Sequence, residues 1–328
     1  MSGENFIKYI NFINYITGKW AGEEIISQII FMASLNKAIF NVRNYAVQKR
    51  ANLKISEKDV EKNILEALEK DLKSFKNQEV FFSFSGGLDS SLLVALAAHH
   101  FPKYKIIALT IGLRGCQDIV YSKKVASFLK IQQRIKLVSR LELEESLLRY
   151  EKLYNLIHSE KRRKYLALFL LSEFISKNTD QVITGEGSDE LTGGYLFHQD
   201  PVKKIKDVPF ISSFAGEKDK KEEYLIGKII GKKLSDQESR MAAMEFMWYS
   251  MLGKKFLLNW KEFSKFFGFK ARFPYLDEKV INVLNRVPLK KKVDGKEGKK
   301  IIRKIALKYL PLEIARQEKR GLPSVFNL

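Results

Sequence analysis

Val80-Phe81-Phe82-Ser83-Phe84-Ser85-Gly86-Gly87-Leu88-Asp89-Ser90-Ser91 is the stretch whose reading decides the fold. Its first five residues form a short apolar run bounded by polar positions, the pattern of a parallel strand buried on both faces. From Ser90 to His100 the apolar residues take up helical spacing. A strand that passes through Ser-Gly-Gly into a helix lets backbone N–H groups and the helix dipole hold an anion. Gly86 and Gly87 permit close backbone approach, and Ser85, Ser90 and Ser91 add hydroxyl donors. Asp89 is the informative residue. An acid beside a phosphate makes sense when a cation lies between them, so Asp89 reads as a Mg²⁺ ligand. No Gly-Lys-Ser/Thr follows, which excludes a Walker loop. The bland alternative is a glycine turn capped by Asp and Ser at a helix start.

Outward from this loop the same alternation repeats. Lys105 to Ile111, Arg134 to Val138 and Gln181 to Thr184 read as further strands. Asp118 to Leu129, Leu141 to Ile157 and Arg163 to Ser176 read as helices. Strands alternating with helices predict an α/β fold, a parallel doubly wound sheet with ligands at the carboxyl ends of its strands. Upstream, Ser56 with Asp59 three residues later predicts a capped helix running through Val60, Ile64, Leu65, Leu68 and Leu72. Residues 1–55 form a helical N-terminal segment of no assignable role, with Phe6, Ile10, Ile13 and Ile16 at helical spacing; residues 56–328 form the main domain. Asp200 to Lys233 is lysine-dense and reads as a loop or excursion. Residues 236–309 read as helices closing over the sheet, with Trp248, Met244, Met247 and Met251 on one core face.

Composition narrows the classes. The chain has 328 residues, 45% of them hydrophobic and 29% charged, which is ordinary for a globular protein. No run reaches the roughly 18 apolar residues of a membrane span, and the start lacks a basic secretory pattern, so the cytoplasm is the expected compartment. The single cysteine, Cys116, excludes a disulfide framework or a CxxC site within the chain. Lysine and arginine exceed aspartate and glutamate by 58 − 38 = +20. That excess suits either nucleic acid or a merely lysine-rich surface, and charge alone does not separate them.

A second unusual loop, Thr184-Gly185-Glu186-Gly187-Ser188-Asp189-Glu190-Leu191-Thr192-Gly193-Gly194-Tyr195, follows the fourth strand. Glycines interleaved with acids put carboxylates on a tight turn at the same sheet edge as the first loop. The pair of loops resembles the synthetase domain of the asparagine synthetase family, of the PP-loop ATP-pyrophosphatase type. Three further segments carry the resemblance in the family's order. They are Gly112 to Asp118, Arg272-Phe273-Pro274-Tyr275-Leu276-Asp277, and Gly298-Lys299-Lys300-Ile301-Ile302-Arg303, before a closing basic stretch from Arg316 to Pro323. The resemblance covers about residues 56 to 325.

The resemblance implies an adenine-nucleotide-hydrolase-like fold with a helical C-terminal subregion, and AMP-forming amidation of a carboxylic acid with ATP and Mg²⁺. Asp89 and Asp189 would hold Mg²⁺ between the ATP phosphates, which requires two residues a hundred positions apart to converge. Ser85, Gly86, Gly87, Asp89 and Ser90 would cradle pyrophosphate. Phe84, Ile111, Thr184 and Gly185 would line the adenosine half. Glu186 would accept a proton from attacking ammonia, Lys299 would reach the phosphates, and Glu190, Tyr195, Arg272 and Asp277 would shape an acceptor pocket. Aspartate is the favoured acceptor and ammonia the nitrogen donor. The family's glutaminase half, which opens with a nucleophilic cysteine, has no counterpart before Cys116. Ammonia is therefore expected free or from a separate glutaminase subunit, and a homodimer is one assembly open to the chain.

Gly268-Phe269-Lys270-Ala271-Arg272 departs from the family's Gly-x-Glu-x-Arg by reversing a charge, which loosens the assignment of aspartate. The alternatives are an amide-forming ligase of the same family acting on another carboxylate, and a tRNA-modifying adenylating enzyme, which would account for the charge but lacks an added RNA-binding module.

Overall fold

The computed structural model describes residues 55–154, 159–194, 257–294 and 296–317. Outside them lie the helical reading of Phe6 to Ile16, the excursion 200–233, the Trp248 face, Tyr195 and most of the closing basic stretch.

Helix α1 (Glu57–Leu72) begins as its sequence dictates: Ser56 Oγ accepts from the Asp59 N–H at 3.2 Å, and Asp59 Oδ2 accepts from the Ser56 N–H at 2.8 Å. This reciprocal capping satisfies two N–H groups that the first turn leaves without helical partners. Strand β1 (Glu79–Ser83) leads into α2 (Leu88–His100), which is buried nearly all round. Strand β2 (Lys105–Gly112), α3 (Gln117–Leu129) and β3 (Gln132–Leu137) follow. Helices α4 (Arg140–Tyr154) and α5 (Ser159–Ser176) return the chain to β4 (Gln181–Ile183), which runs into the short α6 (Ser188–Thr192). After α7 (Leu257–Phe267) comes β5 (Lys270–Arg272), then α8 (Glu278–Arg286), α9 (Leu289–Lys292), α10 (Lys300–Ala306) and α11 (Leu312–Ala315).

The five strands form one sheet in the order β3-β2-β1-β4-β5, every pairing parallel. Because side chains alternate along a strand, the central strands β1, β2 and β4 each feed two cores. Val80, Phe82, Ile106 and Ala108 pack with α1, α2, α8 and α10 on one face. Phe81, Ile107, Leu109, Ile111 and Val182 pack with α5 and α7 on the other. Both faces of β1 and β2 are covered, which is why these two strands read as near-continuous apolar runs, while the edge strands β3 and β5 do not.

Strand β5 lies where the sequence suggested only helices. Its three residues, Lys-Ala-Arg, are too few to show a period, and the strand exists because Lys270, Ala271 and Arg272 pair with Gln181, Val182 and Ile183. Among the described residues no helix is long and apolar enough to cross a membrane.

Chain direction sets the site. From β1 the chain moves outward to β2 and β3, then crosses back to place β4 on the opposite side of β1. The loops after β1 and β4 therefore diverge at a switch point, where parallel sheets leave a crevice at their carboxyl edge.

Candidate functional site: two loops at the switch point

The first loop is fixed by β2. The Phe84 N–H donates to the Leu109 carbonyl at 2.9 Å, and Thr110 Oγ1 donates to the Phe84 carbonyl at 2.7 Å. Beyond Phe84 the chain turns through Gly86, whose φ of +70° disfavours a side chain. A Cβ there would also lie 2.6 Å from the Tyr121 carbonyl carbon of α3. Gly87 sits at the start of α2, its N–H donating to Ser85 Oγ at 3.2 Å, while Ser90 Oγ donates to the Gly87 carbonyl at 3.3 Å. Ser85 is exposed at the mouth of this turn. The Ser85 and Ser90 hydroxyls lie 3.4 Å apart at the turn that opens α2, the place in a fold where an anion site is expected.

The second loop is fixed by β5, through the Thr184 N–H donating to the Arg272 carbonyl at 2.9 Å. Gly185 brings the two loops into contact: a Cβ on it would stand 2.9 Å from the Ser90 nitrogen and 3.2 Å from the Asp89 carbonyl carbon. Partly exposed Glu186 follows it, and α6 then carries Asp189 and Glu190, which are 7% and 6% exposed.

A third segment completes the site. Lys299 precedes α10 in the left-handed region, at φ +57°, and its N–H donates to the Thr192 carbonyl at 3.1 Å. Its side chain is 4% exposed. The ammonium donates to Asp89 Oδ2 and lies 2.5 Å from Asp189 Oδ1. The convergence that the sequence reading demanded, of two aspartates from separate loops, is present around one buried cation.

Tyr275 supports the pair from below. Its hydroxyl donates to the Asp89 carbonyl at 3.2 Å. Burial, and after it the charge of Asp89, pushes that hydroxyl well above its ordinary range, so it remains a donor.

The remaining expected residues are placed as follows. Phe84 and Ile111 stand at the same sheet edge, but their side chains enter opposite cores, leaving mainly backbone at the rim. Arg272 directs Nη2 onto Gln181 Oε1 at 2.9 Å, toward the start of β4 and away from the loops. Asp277 caps α8 by accepting from the Lys279 N–H at 3.0 Å and pairs with Lys70 at 3.0 Å. The described contacts of Arg272 and Asp277 are therefore structural ones, and the structure does not bring them together with the carboxylate pair.

The donor set suits a Mg²⁺–phosphate group. Asp89 Oδ1 is buried without a hydrogen-bond partner among the described residues, a condition that a bound cation would relieve. No group of three or more described His, Cys, Asp or Glu side chains is arranged to hold a metal. Two carboxylates with phosphate and water oxygens completing the octahedron is the usual way proteins hold Mg²⁺.

With this geometry in view, comparison with known proteins is decisive for the family. The family model for asparagine synthase matches residues 59–327.

The chain belongs to the asparagine synthase family.

A Methanocaldococcus jannaschii protein named "putative asparagine synthetase [glutamine-hydrolyzing] 1" is 23% identical over 270 residues, which is 72% of this chain and 44% of that protein. The glutamine-hydrolyzing asparagine synthetase of Rattus norvegicus is 35% identical over 126 residues, 36% of this chain and 22% of that protein. The chain thus spans less than half the length of the curated relatives it matches. Within the asparagine synthase match lie both loops, Tyr275, Lys299 and two residues to which the sequence reading gave no role of their own, Arg303 and Gln317. The signal that could have found Tyr275 was its place inside the Arg272 to Asp277 motif, where the charged residues drew the attention.

Proposed function

We propose that this protein is an AMP-forming carbon–nitrogen ligase that couples ATP cleavage to amidation of a small carboxylic acid. The observation that carries the reading is the burial of Lys299 between Asp89 and Asp189 at the sheet's switch point. Such an arrangement has little structural value on its own, since burying an ion pair is often no better than burying apolar groups. It is well suited to a polyphosphate.

On this reading the acceptor carboxylate attacks the α-phosphorus of ATP, pyrophosphate leaves, and an acyl-adenylate remains. Negative charge grows on the phosphoryl oxygens during that step. Mg²⁺, held by Asp89 and Asp189, would supply Lewis-acid neutralisation there. The Lys299 ammonium would turn from the carboxylates to the α- and β-phosphates, and the amides opening α2 with Ser85 and Ser90 would hold the departing pyrophosphate. Ammonia then attacks the acyl carbon, AMP leaves, and the attacking nitrogen gives up one proton to yield a neutral amide. Glu186, one residue beyond the inter-loop contact, is the base assigned to that transfer.

Aspartate is the favoured acceptor and asparagine the product. The names of the relatives support this. Ammonia arrives free or from a glutaminase partner, and a homodimer is the assembly proposed. The test is product analysis with ATP, Mg²⁺, aspartate and ammonia. The reading expects AMP and asparagine in equal amounts. Formation of ADP, or AMP release that ignores every amino acid offered, would overturn it.

A further inference from the structure

Arg303 lies in the last turn of the short helix α10 with its side chain largely buried. Its guanidinium makes three main-chain contacts. Nε donates to the Gly298 carbonyl at 2.9 Å, Nη1 to the Ala315 carbonyl at 2.8 Å, and Nη2 to the Gln317 carbonyl at 2.8 Å. Glu297 Oε1, 3.3 Å from Nε, balances the charge.

Each end of this clamp leads to the phosphate site. Gly298 is the residue before Lys299, whose left-handed backbone aims its ammonium at Asp89 and Asp189. Gln317 is the residue whose Nε2 donates to the carbonyl of Gly86, at 3.0 Å, inside the first loop. The Gln317 side chain therefore reaches the phosphate loop from a segment 231 positions away. One rigid fork fixes both the segment that carries the cation and the segment that steadies the anion cradle.

We infer that Arg303 is a positioning residue for the phosphate tail, acting through Lys299 on one side and through Gln317 and Gly86 on the other. The inference rests on the nucleotide reading above and deepens it. Lysine cannot replace the clamp, because its single ammonium is a point charge that cannot span three divergent carbonyls as a planar guanidinium does. Gln317 Oε1 is buried without a hydrogen-bond partner among the described residues. Among the described residues the amide is thus held by its donor end, and its position depends on the backbone that Arg303 grips.

The test is calorimetric titration of the full chain with Mg²⁺-pyrophosphate and, separately, with AMP, which lacks the phosphates that the clamp organises. Arg303→Lys is expected to weaken Mg²⁺-pyrophosphate about tenfold and AMP by less than about twofold, the scale of one or two charge-assisted hydrogen bonds. Gln317→Leu is expected to weaken pyrophosphate about threefold and AMP not at all. The double variant should be no weaker than Arg303→Lys alone, because the two act along one path.

Equal loss of both ligands would mark Arg303 as merely structural and overturn the inference, as would unchanged pyrophosphate binding. Should Arg303→Lys fail to fold, Gln317→Leu decides alone: unaltered pyrophosphate affinity overturns the proposal. Wild-type protein that binds neither ligand would sink the nucleotide reading itself, a result distinct from wild-type binding that the variants leave untouched.

Discussion

The ammonium of Lys299 lies 2.5 Å from Asp189 Oδ1 while donating to Asp89, so one side chain neutralises acids delivered by two different loops. Removing that charge leaves buried Asp189 and part-buried Asp89 without the cation that both now contact. Lys299→Met is expected to lower stability by about 3 kcal/mol, the loss typical of breaking a buried ion pair. Added Mg²⁺ should restore part of it by taking the ammonium's place. Thermal unfolding with and without Mg²⁺ checks this, and the same variant should lose ligase activity by a factor of about 10² or more.

The three glycines of the crevice should differ sharply when replaced by alanine. Gly185→Ala puts a Cβ 2.9 Å from the Ser90 nitrogen, forcing the loops apart, and is expected to cost about 1–3 kcal/mol with a matching loss of nucleotide affinity. Gly86→Ala should be worse, since φ is +70° and the Cβ would come closer to the Ser122 nitrogen in α3 than the Gly185 Cβ does to that of Ser90. Gly87→Ala should cost under about 1 kcal/mol, because its φ of −74° suits any residue and the nearest atom is the Ser85 hydroxyl at 3.1 Å. Denaturant unfolding of the three variants ranks them.

Tyr275→Phe removes the hydroxyl that reaches the Asp89 carbonyl and little else. A loss of about 1 kcal/mol in stability is expected for one buried hydrogen bond. A larger fall in Mg²⁺-ATP affinity than in AMP affinity should accompany it if Tyr275 holds the Asp89 turn in place. Parallel unfolding and titration experiments separate the two effects.

Two carboxylates away from the crevice should give stability opposite pH slopes. Glu173 is held at about 2, chiefly by two 3.0 Å hydrogen bonds from Arg149. Its folded value is below its unfolded one, so its contribution is present above about pH 4.5 and is lost as pH falls toward 2. Glu173→Gln should therefore cost about 1–2 kcal/mol at pH 7 after allowance for solvent screening, and almost nothing near pH 2. Burial lifts Asp71 to about 6 instead. The folded state then binds the proton more tightly than the unfolded one, so Asp71 lowers stability as pH rises from about 4 to 6. Asp71→Asn should stabilise the protein by about 1–2 kcal/mol at pH 7 and leave it unchanged at pH 3. Unfolding curves across this range check both signs.

The sheet's middle was legible because β1 and β2 are buried on two faces, a condition that leaves continuous apolar runs in the sequence. The Ser56 cap was legible because it is a contact over three residues. What local patterns do not carry is a partner far along the chain. β5 exists through pairing with β4, and Gln317 meets Gly86 across most of the domain. Lys299 stands among many lysines and was picked out by motif order alone. Arg272 and Asp277 drew attention by their charge, yet Arg272 reaches back to Gln181 and Asp277 caps α8, while the neighbouring Tyr275 touches the site.

The most direct measurement is ATP–pyrophosphate exchange, with Mg²⁺ and aspartate, in the wild type and in Asp89→Asn and Asp189→Asn. If both acids serve one metal-bound phosphate tail, exchange occurs in the wild type, depends on the added acid, and falls by a factor of about 10² or more in each variant alike. Exchange that survives loss of either aspartate, or that no carboxylic acid supports, would contradict the account.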